Sequence, residues 1–591
     1  MPRAVGARAR GLPGARRHQS KVRVLRRPRR QAGQVALGKL FKSPHHVVMD
    51  RLSPQARAAE IEIDSAYKSN PLLRLNFAAA AWHVLAVIEE SLFLPVFQGE
   101  GLTAQRHSAL ADRYIHTLRH PFNWLRSSCP LGGRLPTRYD ESACRAAIDL
   151  VVLGRQYDRF YLAFTYASRG IMDLSVDGHV LVPDHDFLKD TQYEAYSRLA
   201  KPVERNTSEE AELYEALYVN IGHALQVSGN NFSVVVDPAL VQLAKDFLRS
   251  RLDKRFLLPG GWRFSRYSIS DFRGVYETVL SLACIQHVAH LIAAASGCGG
   301  NGFINCLLVL TKDRLLNRVT RYTGMPSQTV AEVLNDLTLG SHNIPAERGD
   351  PALQPVIPLD EKLCAVPPFL WLNGAAERNF IVLMNKLPEE RAIYSRLVQQ
   401  KEDLMRERIV ARVGSKKWRT WTGKIAGRPD LPDVDLALID DSRKVCLLTE
   451  LKWFLDPAEA KEIVEKSEEI AKGISQLLLL KEAVREGYSP LFERLAIDPT
   501  YDVRLALVSA NWIGHASVQH PKVPVINEEH LLERLKTRGS LSEVVTWLSE
   551  RRYLPVEGEH YEIITTTAKV GEWEMNWYGI SPLIPDNILK V

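Results

Sequence analysis

The chain has 591 residues, of which 46% are hydrophobic and 25% are charged. This ordinary globular composition excludes collagen-like, mucin-like and wholly disordered proteins, and the chain is long enough to bury a large core without a disulfide framework. Residues 1–50 hold ten Arg, three Lys and one Asp, whereas the remainder holds 63 basic against 68 acidic residues. The formal net charge of +7 therefore comes from one arm, and the rest of the chain is mildly acidic.

The basic arm is rich in Arg, Ala, Gly and Pro, has little apolar periodicity, and is predicted to be disordered. Three interpretations stay open for it: a disordered tail or translated sequence upstream of the functional start, a segment attracted to phosphates by charge, or a transit peptide. It lacks the apolar stretch of a secretory signal. The seven cysteines form no C-x-x-C pair, which favours a reducing compartment over zinc knuckles or disulfides. We therefore expect a cytoplasmic protein.

Residues 51–385 are predicted to form a mostly helical region, because apolar residues recur at spacings of three and four in several segments. A short strand pair is expected around GHVLVP. The uncharged stretch from residue 278 to 311 is long enough to span a bilayer, but its Gln286, His287 and His290 favour a buried helix instead. The six prolines of residues 341–370 predict a linker or an extended wrapping segment. The role of this region stays open between recognition of substrate, contact with a protein partner and restraint of the C-terminal part.

Residues 386–591 show a different pattern, which predicts an α/β domain. A helix is expected over residues 388–413, followed by two apolar strands, DLALID and KVCLLTELKW, with a turn at residues 441–444. A long helix is expected from residue 457, capped by Asp456. The strand VRLALVS, an amphipathic helix and a C-terminal hairpin complete the domain.

Acidic and basic side chains stand at the ends of the two apolar strands. Asp435 opens the first strand, and Glu450 and Lys452 close the second on one face, since strand side chains alternate. If Asp440 pairs with Val445, Asp435 faces Glu450 with Cβ atoms about 5 Å apart. Two such carboxylates repel unless a cation lies between them. The pattern therefore favours a divalent cation with oxygen ligands, and Mg²⁺ is the usual one in phosphate chemistry.

This arrangement, Asp435 followed after fourteen residues by Glu450-Leu451-Lys452, resembles the PD-(D/E)xK nuclease superfamily. The resemblance covers roughly residues 389–515. It implies a restriction-endonuclease-like core, a mixed sheet flanked by helices, and Mg²⁺-dependent hydrolysis of nucleic-acid phosphodiester bonds, with DNA favoured over RNA. Asp435 and Glu450 would hold the metal and Lys452 would position the attacking water. Asp433 follows a proline, as in the signature, and is the second choice for the first ligand.

The resemblance implies further site residues on the flanking helices. A Glu on the preceding helix is expected, and Glu402 shares a face with Met405 and Ile409; Glu407 is the alternative, and Glu402 can also be a residue that only flanks the apolar stripe. The helix after the second strand offers Gln476 as a catalytic residue and Lys472 as a contact to nucleic acid. The alternative for this pair is a solvated helix face.

A basic and aromatic cluster precedes the first strand. Its positive charges would grip phosphates, and its tryptophans Trp418 and Trp421 would stack on bases or, alternatively, belong to the core. The cluster consists of Lys416, Lys417, Arg419, Lys424 and Arg428. The alternative function is a catalytically inactive nuclease fold that binds nucleic acid or protein.

Overall fold

The computed structural model describes residues 52–91, 111, 114–184, 187–200, 208–256, 258–297, 302–343, 349–414, 418–457, 459–537, 539–584 and 588. The basic arm, residues 1–50, lies outside these ranges. The described residues belong to one unit that spans residues 50–591. The unit is of mixed α/β class.

Eighteen α-helices are assigned in the described part of the chain. They are α1 (Pro54–Ser65), α2 (Phe77–Ser91), α3 (Arg119–Ser128), α4 (Glu141–Ser168), α5 (Phe187–Leu199), α6 (Ser208–Ala224), α7 (Pro238–Arg255), α8 (Ile269–Ala295), α9 (Lys312–Thr323), α10 (Ser327–Asp336), α11 (Pro368–Asn373), α12 (Ala376–Lys386), α13 (Pro388–Leu397), α14 (Gln399–Val413), α15 (Ala460–Arg485), α16 (Ser489–Leu495), α17 (Glu528–Thr537) and α18 (Leu541–Ser549).

The strands of the described residues form four sheets. They are β1 (Asp173–Asp177), β2 (Val180–Asp184), β3 (Leu225–Ser228), β4 (Asn231–Val234), β5 (Leu308–Thr311), β6 (Ile357–Pro358), β7 (Leu363–Val366), β8 (Arg419–Gly423), β9 (Val434–Asp440), β10 (Val445–Lys452), β11 (Asp502–Ser509), β12 (Val525–Asn527), β13 (Tyr561–Val570) and β14 (Trp573–Pro582). The strand orders are β1-β2-β14-β13, β12-β11-β10-β9-β8, β3-β4 and β5-β7-β6.

The five-stranded sheet is mixed. β8, β9 and β10 pair antiparallel, whereas β10, β11 and β12 pair parallel. Because parallel neighbours need a crossover, α15 connects β10 to β11 and packs against both strands. α14 and α18 contact β10 as well. β9 and β10 are almost continuously buried, as expected of strands covered by helices on a sheet.

The C-terminal hairpin expected from the sequence is present as β13 and β14. It does not stay within the C-terminal region, because β14 pairs in parallel with β2, the strand expected around GHVLVP. One hydrophobic core includes side chains of α1, α4, α15 and this hairpin, and the largest core contains residues from Tyr193 to Ile588. The boundary predicted at residue 385 therefore falls inside shared cores.

Two helix predictions differ from the structure. The helix expected over residues 388–413 is two helices, α13 and α14. Val398 between them keeps helical φ and ψ, but the amide of Lys401 donates to its carbonyl, so the hydrogen bonding tightens there to an i−3 bond. The helix expected from residue 457 begins at Ala460, and Glu459 directly before it has extended φ and ψ.

The described part of the proline-rich segment is packed into the fold. Its described residues from 349 to 359 are largely buried, and β6 and β7 pair with β5 in the three-stranded sheet. The extended-segment alternative thus fits better than a free linker. Within the described residues, α8 is the one helix long and apolar enough to cross a membrane, and 67% of its apolar window is buried inside the protein, as in a core helix.

Candidate functional site

The register of the β9–β10 hairpin fixes what stands at its open end, the end away from the turn. Val445 pairs with Asp440, and the pairing continues to Thr449 opposite Leu436. The hydroxyl of Thr449 donates to the Leu436 carbonyl at 2.8 Å, which locks this register. The ladder ends at this pair, and Glu450 and Asp435 are the next residues of the two strands, directly beyond it. The pairing of Asp440 with Val445 is the one expected from the sequence. The hairpin accordingly presents the carboxylates of Asp435 and Glu450 at its open end.

Glu450 and Lys452 form an ion pair on one face of β10. Lys452 Nζ lies 2.6 Å from Glu450 Oε1, and the Glu450 side chain is only 5% exposed. Burial raises the pKa of Glu450 to about 7; the nearby Lys452 opposes this rise, and the carboxylates of Asp435 and Glu402 add to it. Burial alone would lower the pKa of Lys452, but the surrounding carboxylates raise it. Three acids thus share one ammonium group.

Glu402 joins this cluster from α14. Burial raises its pKa, Lys452 opposes the rise, and Asp435 adds to it. The backbone amide of Trp453, directly after Lys452, donates to the Glu402 carboxylate. Glu407, the alternative from the sequence, is exposed to solvent. The structure therefore brings Glu402, and not Glu407, to the open end of the hairpin.

Asp435 is anchored to the second strand. Its Oδ2 accepts a hydrogen bond of 2.9 Å from the backbone amide of Leu451, so the carboxylate lies against the Glu450–Lys452 segment. Asp433, the second choice, is exposed and has Lys424 Nζ at 3.8 Å. Asp435 is therefore the better placed of the two to act together with Glu450.

α15 closes the site through Gly473. A Cβ atom at this position would lie 3.2 Å from Glu450 Cγ and 2.8 Å from Leu507 Cδ1, so a side chain would press on the carboxylate. Gln476 stands one helical turn farther on and is half-buried, whereas Lys472 is exposed. Lys472 and Gln476 thus border the residue that touches the acidic cluster.

The basic cluster is divided by the fold. Lys416 and Lys417 lie outside the described residues. Arg419 pairs with Ile439 near the turn, at the far end of the hairpin, and its guanidinium holds the Asp441 carboxylate with two bonds of 2.7 Å. Arg428 pairs with Asp430 at 2.7 Å and with Glu486 at 2.9 Å.

Lys424 is the one described member of that cluster near the open end, where β8 ends opposite Val434. Trp418 and Trp421 are partly buried and pack against the core, as the core alternative expected. The placement of Arg419 and Arg428 in ion pairs gives no support to a role in gripping phosphates.

The donor chemistry of the open end suits a hard divalent cation, since it offers carboxylate oxygens and no thiol or imidazole. The buried carboxylate of Glu450 also needs positive charge nearby. Among the described residues, however, no three His, Cys, Asp or Glu side chains converge as a ready metal site. Lys452 occupies one oxygen of Glu450 instead, so cation binding requires the carboxylates to draw together and to share Glu450 with Lys452.

Two positioning features were not predicted from the sequence. The first is Gly473. A glycine inside a strong helical pattern can signal that another part of the chain packs closely against the helix there. The second is a pair of arginines from the N-terminal region: Arg119 lies 3.1 Å from Glu459, and Arg378 donates to the Asp456 carbonyl and pairs with Glu462. These contacts tie Asp456, Glu459 and Glu462 to the N-terminal region, and only the folded chain reveals them.

Comparison of the chain with protein-family models, with curated proteins and with solved structures found no match.

Proposed function

We propose that the chain is a Mg²⁺-dependent nuclease that hydrolyses phosphodiester bonds of nucleic acid, with DNA as the favoured substrate, and that its C-terminal sheet is a restriction-endonuclease-like core. The observation that carries the proposal is the acidic cluster at the open end of the β9–β10 hairpin. Asp435, Glu450 and Glu402 surround a single ammonium group, Lys452, and burial raises the pKa of Glu450 to about 7. Perturbed acids of this kind concentrate at functional sites.

The residues divide into roles by position. Asp435 and Glu450 would hold the metal, which when bound supplies an acidified water and offsets charge on the scissile phosphate. Lys452 would orient the attacking water and stabilise charge that develops on the phosphate oxygens. Glu402, bonded to the Trp453 amide, would hold the end of β10 in place and accept a proton from the water.

Lys472 and Gln476 border the cluster on α15 and would contact the nucleic-acid backbone there. Lys424, directly after β8, is 84% exposed, so its 3.8 Å contact with Asp433 leaves its positive charge largely in solvent on the same side of the hairpin. The proposed nucleic-acid contacts are therefore these residues, whereas Arg419 and Arg428 are proposed to stabilise the fold through their ion pairs.

The test is cleavage of supercoiled plasmid, single-stranded DNA and RNA by the full chain, with Mg²⁺ and with EDTA. We expect Mg²⁺-dependent cleavage that Glu450→Gln and Asp435→Asn each reduce by about 10³-fold, the order of loss for removal of a group that stabilises the transition state. Asp441→Asn, at the turn end of the same hairpin, is the matched control and should leave cleavage unchanged. Equal cleavage by wild type and Glu450→Gln would contradict the proposal.

A second candidate is a catalytically inactive nuclease fold that binds nucleic acid or protein. The observation that favours it is the 2.6 Å ion pair, which already neutralises the buried Glu450 with Lys452. This candidate expects DNA binding that Mg²⁺ does not change and no cleavage of any of the three substrates. The same assay, run with a binding measurement on an uncleaved duplex, separates the two candidates.

A further inference from the structure

Three side chains outside the nuclease site form a continuous hydrogen-bonded relay. Asp190 Oδ2 lies 2.9 Å from His515 Nε2, and His515 Nδ1 lies 2.9 Å from Ser517 Oγ. The acid and the imidazole are buried, at 4% and 7% side-chain exposure, whereas Ser517 faces solvent. A buried acid, a buried base and an exposed hydroxyl in hydrogen-bond contact are the parts of an activated nucleophile.

The backbone amide of Ser517 shows which ring nitrogen of His515 carries the proton. The amide of Ser517 lies 3.3 Å from His515 Nδ1, and an amide can only donate, so Nδ1 carries the lone pair. The ring proton then sits on Nε2 and is donated to Asp190. This is the tautomer that a general base requires, with the unprotonated nitrogen 2.9 Å from the serine hydroxyl oxygen.

Surrounding elements hold the histidine in place. Its backbone amide donates to Ser467 Oγ on α15 at 2.9 Å, and the Tyr166 ring packs edge-on against the imidazole at 5.6 Å. Gly514, with φ of +86°, turns the chain so that the next residue enters this pocket, and a Cβ atom there would lie 3.0 Å from Ile470 Cδ1. Elements from distant parts of the chain thus converge on one imidazole.

We propose that Ser517 is a nucleophile activated by His515, with Asp190 as the positioning residue, and that it accepts acyl groups from esters. Ser517 Oγ attacks the ester carbonyl carbon, and its proton passes to His515 Nδ1 as the Oγ–C bond forms. The ester C–O bond then breaks, and the departing alcohol takes that proton. Water adds to the acyl-serine by the same route, His515 accepting and returning one proton, and releases a carboxylic acid and free Ser517. The activity is separate from the proposed nuclease function.

The first test uses a fluorophosphonate probe on the full chain, with the labelled peptide identified by mass spectrometry. We expect label on Ser517, loss of label in Ser517→Ala, and unchanged label in Ser475→Ala. Ser475 is an exposed serine whose hydroxyl donates to the Ala471 carbonyl at 2.9 Å instead of to a base. Asp190→Asn should lower the maximal labelling rate roughly 100-fold without changing the probe concentration at half-saturation, as a positioning role requires.

A second measurement keeps the proposal testable if Asp190→Asn does not fold. Ser517→Cys and Ser475→Cys, both at exposed positions, are treated with iodoacetamide at neutral pH. His515 as a base predicts that Cys at position 517 reacts at least tenfold faster, because general-base assistance is worth roughly 100-fold. Equal reaction rates, or fluorophosphonate label that is no greater on Ser517 than on Ser475, would show that His515 only caps the turn and would overturn the proposal.

Discussion

The turn end and the open end of the β9–β10 hairpin both carry acidic and basic side chains, but the pKa of the key carboxyl group is lowered at the turn end and raised at the open end. At the turn, Asp441 is exposed and has the fork of Arg419 and the Tyr501 hydroxyl at 2.8 Å. The hydrogen bonds from Arg419 lower the pKa of Asp441 to about 2. Arg419 and Asp441 are therefore paired with each other, and Lys444 at the same turn lies 3.6 Å from Asp498.

At the open end, burial raises the pKa of Glu450 to about 7, and two further carboxylates surround the one ammonium of Lys452. The cluster therefore has an excess of negative charge inside the fold, which a bound cation would relieve. Charge pairing thus identifies the structural end of this hairpin, and charge excess identifies the candidate functional end.

The largest expected effect is on the cleavage rate, measured after substitution of one cation at each end, Lys452 at the open end and Arg419 at the turn end. Lys452→Met should reduce Mg²⁺-dependent DNA cleavage by about 10²-fold or more, because an ammonium that orients water or stabilises developing charge is lost. Arg419→Met removes a cation of similar length from the turn end and should change the cleavage rate less than about twofold. Cleavage rates that fall equally in both variants would remove the distinction between the two ends.

The two ends should differ in how ionisation of their carboxylates changes the free energy of unfolding: ionisation of Glu450 lowers it, whereas ionisation of Asp441 raises it. Glu450 has a raised pKa, so its ionisation costs stability as pH rises from about 4.5 to about 7. Without metal, Glu450→Gln should match the wild type near pH 4 and exceed its free energy of unfolding near pH 8, by on the order of 2–3 kcal/mol.

Asp441 has a lowered pKa, so its contribution is present at neutral pH and is lost as pH falls from about 4 to about 2. Asp441→Asn should therefore be less stable than the wild type at neutral pH, by under about 1 kcal/mol for an exposed pair. Urea unfolding at pH 4 and pH 8 measures both changes. A Glu450→Gln protein that is less stable than wild type at pH 8 would contradict the charge excess at the open end.

A smaller effect is expected when the packing of α15 against the open end is disturbed. Gly473→Ala places a methyl group against Glu450 Cγ and the buried Leu507, which should destabilise the fold by about 1–3 kcal/mol and shift the carboxylate. Ser475→Ala, two residues along α15 and exposed, is the matched control. Cleavage at a temperature where both variants are fully folded should fall only in Gly473→Ala.

The smallest expected effect concerns nucleic-acid affinity. Lys472→Ala removes an exposed charge beside the site, so duplex affinity should fall a few-fold and the slope of log affinity against log salt should decrease by about 1. Arg419→Ala removes a charge already neutralised by Asp441 and should leave that slope unchanged. Fluorescence anisotropy over a range of salt concentrations, with EDTA present, measures both. A loss of slope confined to Arg419→Ala would place the nucleic acid at the turn end.

The β9–β10 hairpin could be predicted from the sequence because the residues that determine its register are its own. The turn and the alternation of its side chains set the register from Asp440 and Val445, and so brought Glu450 near Asp435. Helix α14 likewise carries Glu402 toward the site by its own periodicity. The start of α15 could not be predicted in the same way, because Arg119 and Arg378, far away in sequence, hold the residues before it.

Long-range pairing also escaped prediction. The β1–β2 and β13–β14 hairpins were each expected, but their union in one sheet joins Leu181 to Met575, which are separated by about two thirds of the chain. Nothing in either segment specifies its partner, since strand edges pair through backbone groups that every residue shares. The Asp190–His515–Ser517 relay is hidden for the same reason, because its acid comes from α5 and its base follows β11.

Calorimetric titration of Mg²⁺ into the wild type, Glu450→Gln and Asp441→Asn measures cation binding at the open end without requiring the correct substrate. We predict saturable binding to the wild type and to Asp441→Asn, and loss of that binding in Glu450→Gln. The same binding isotherm for Glu450→Gln and the wild type would contradict the account, as would loss of binding confined to Asp441→Asn.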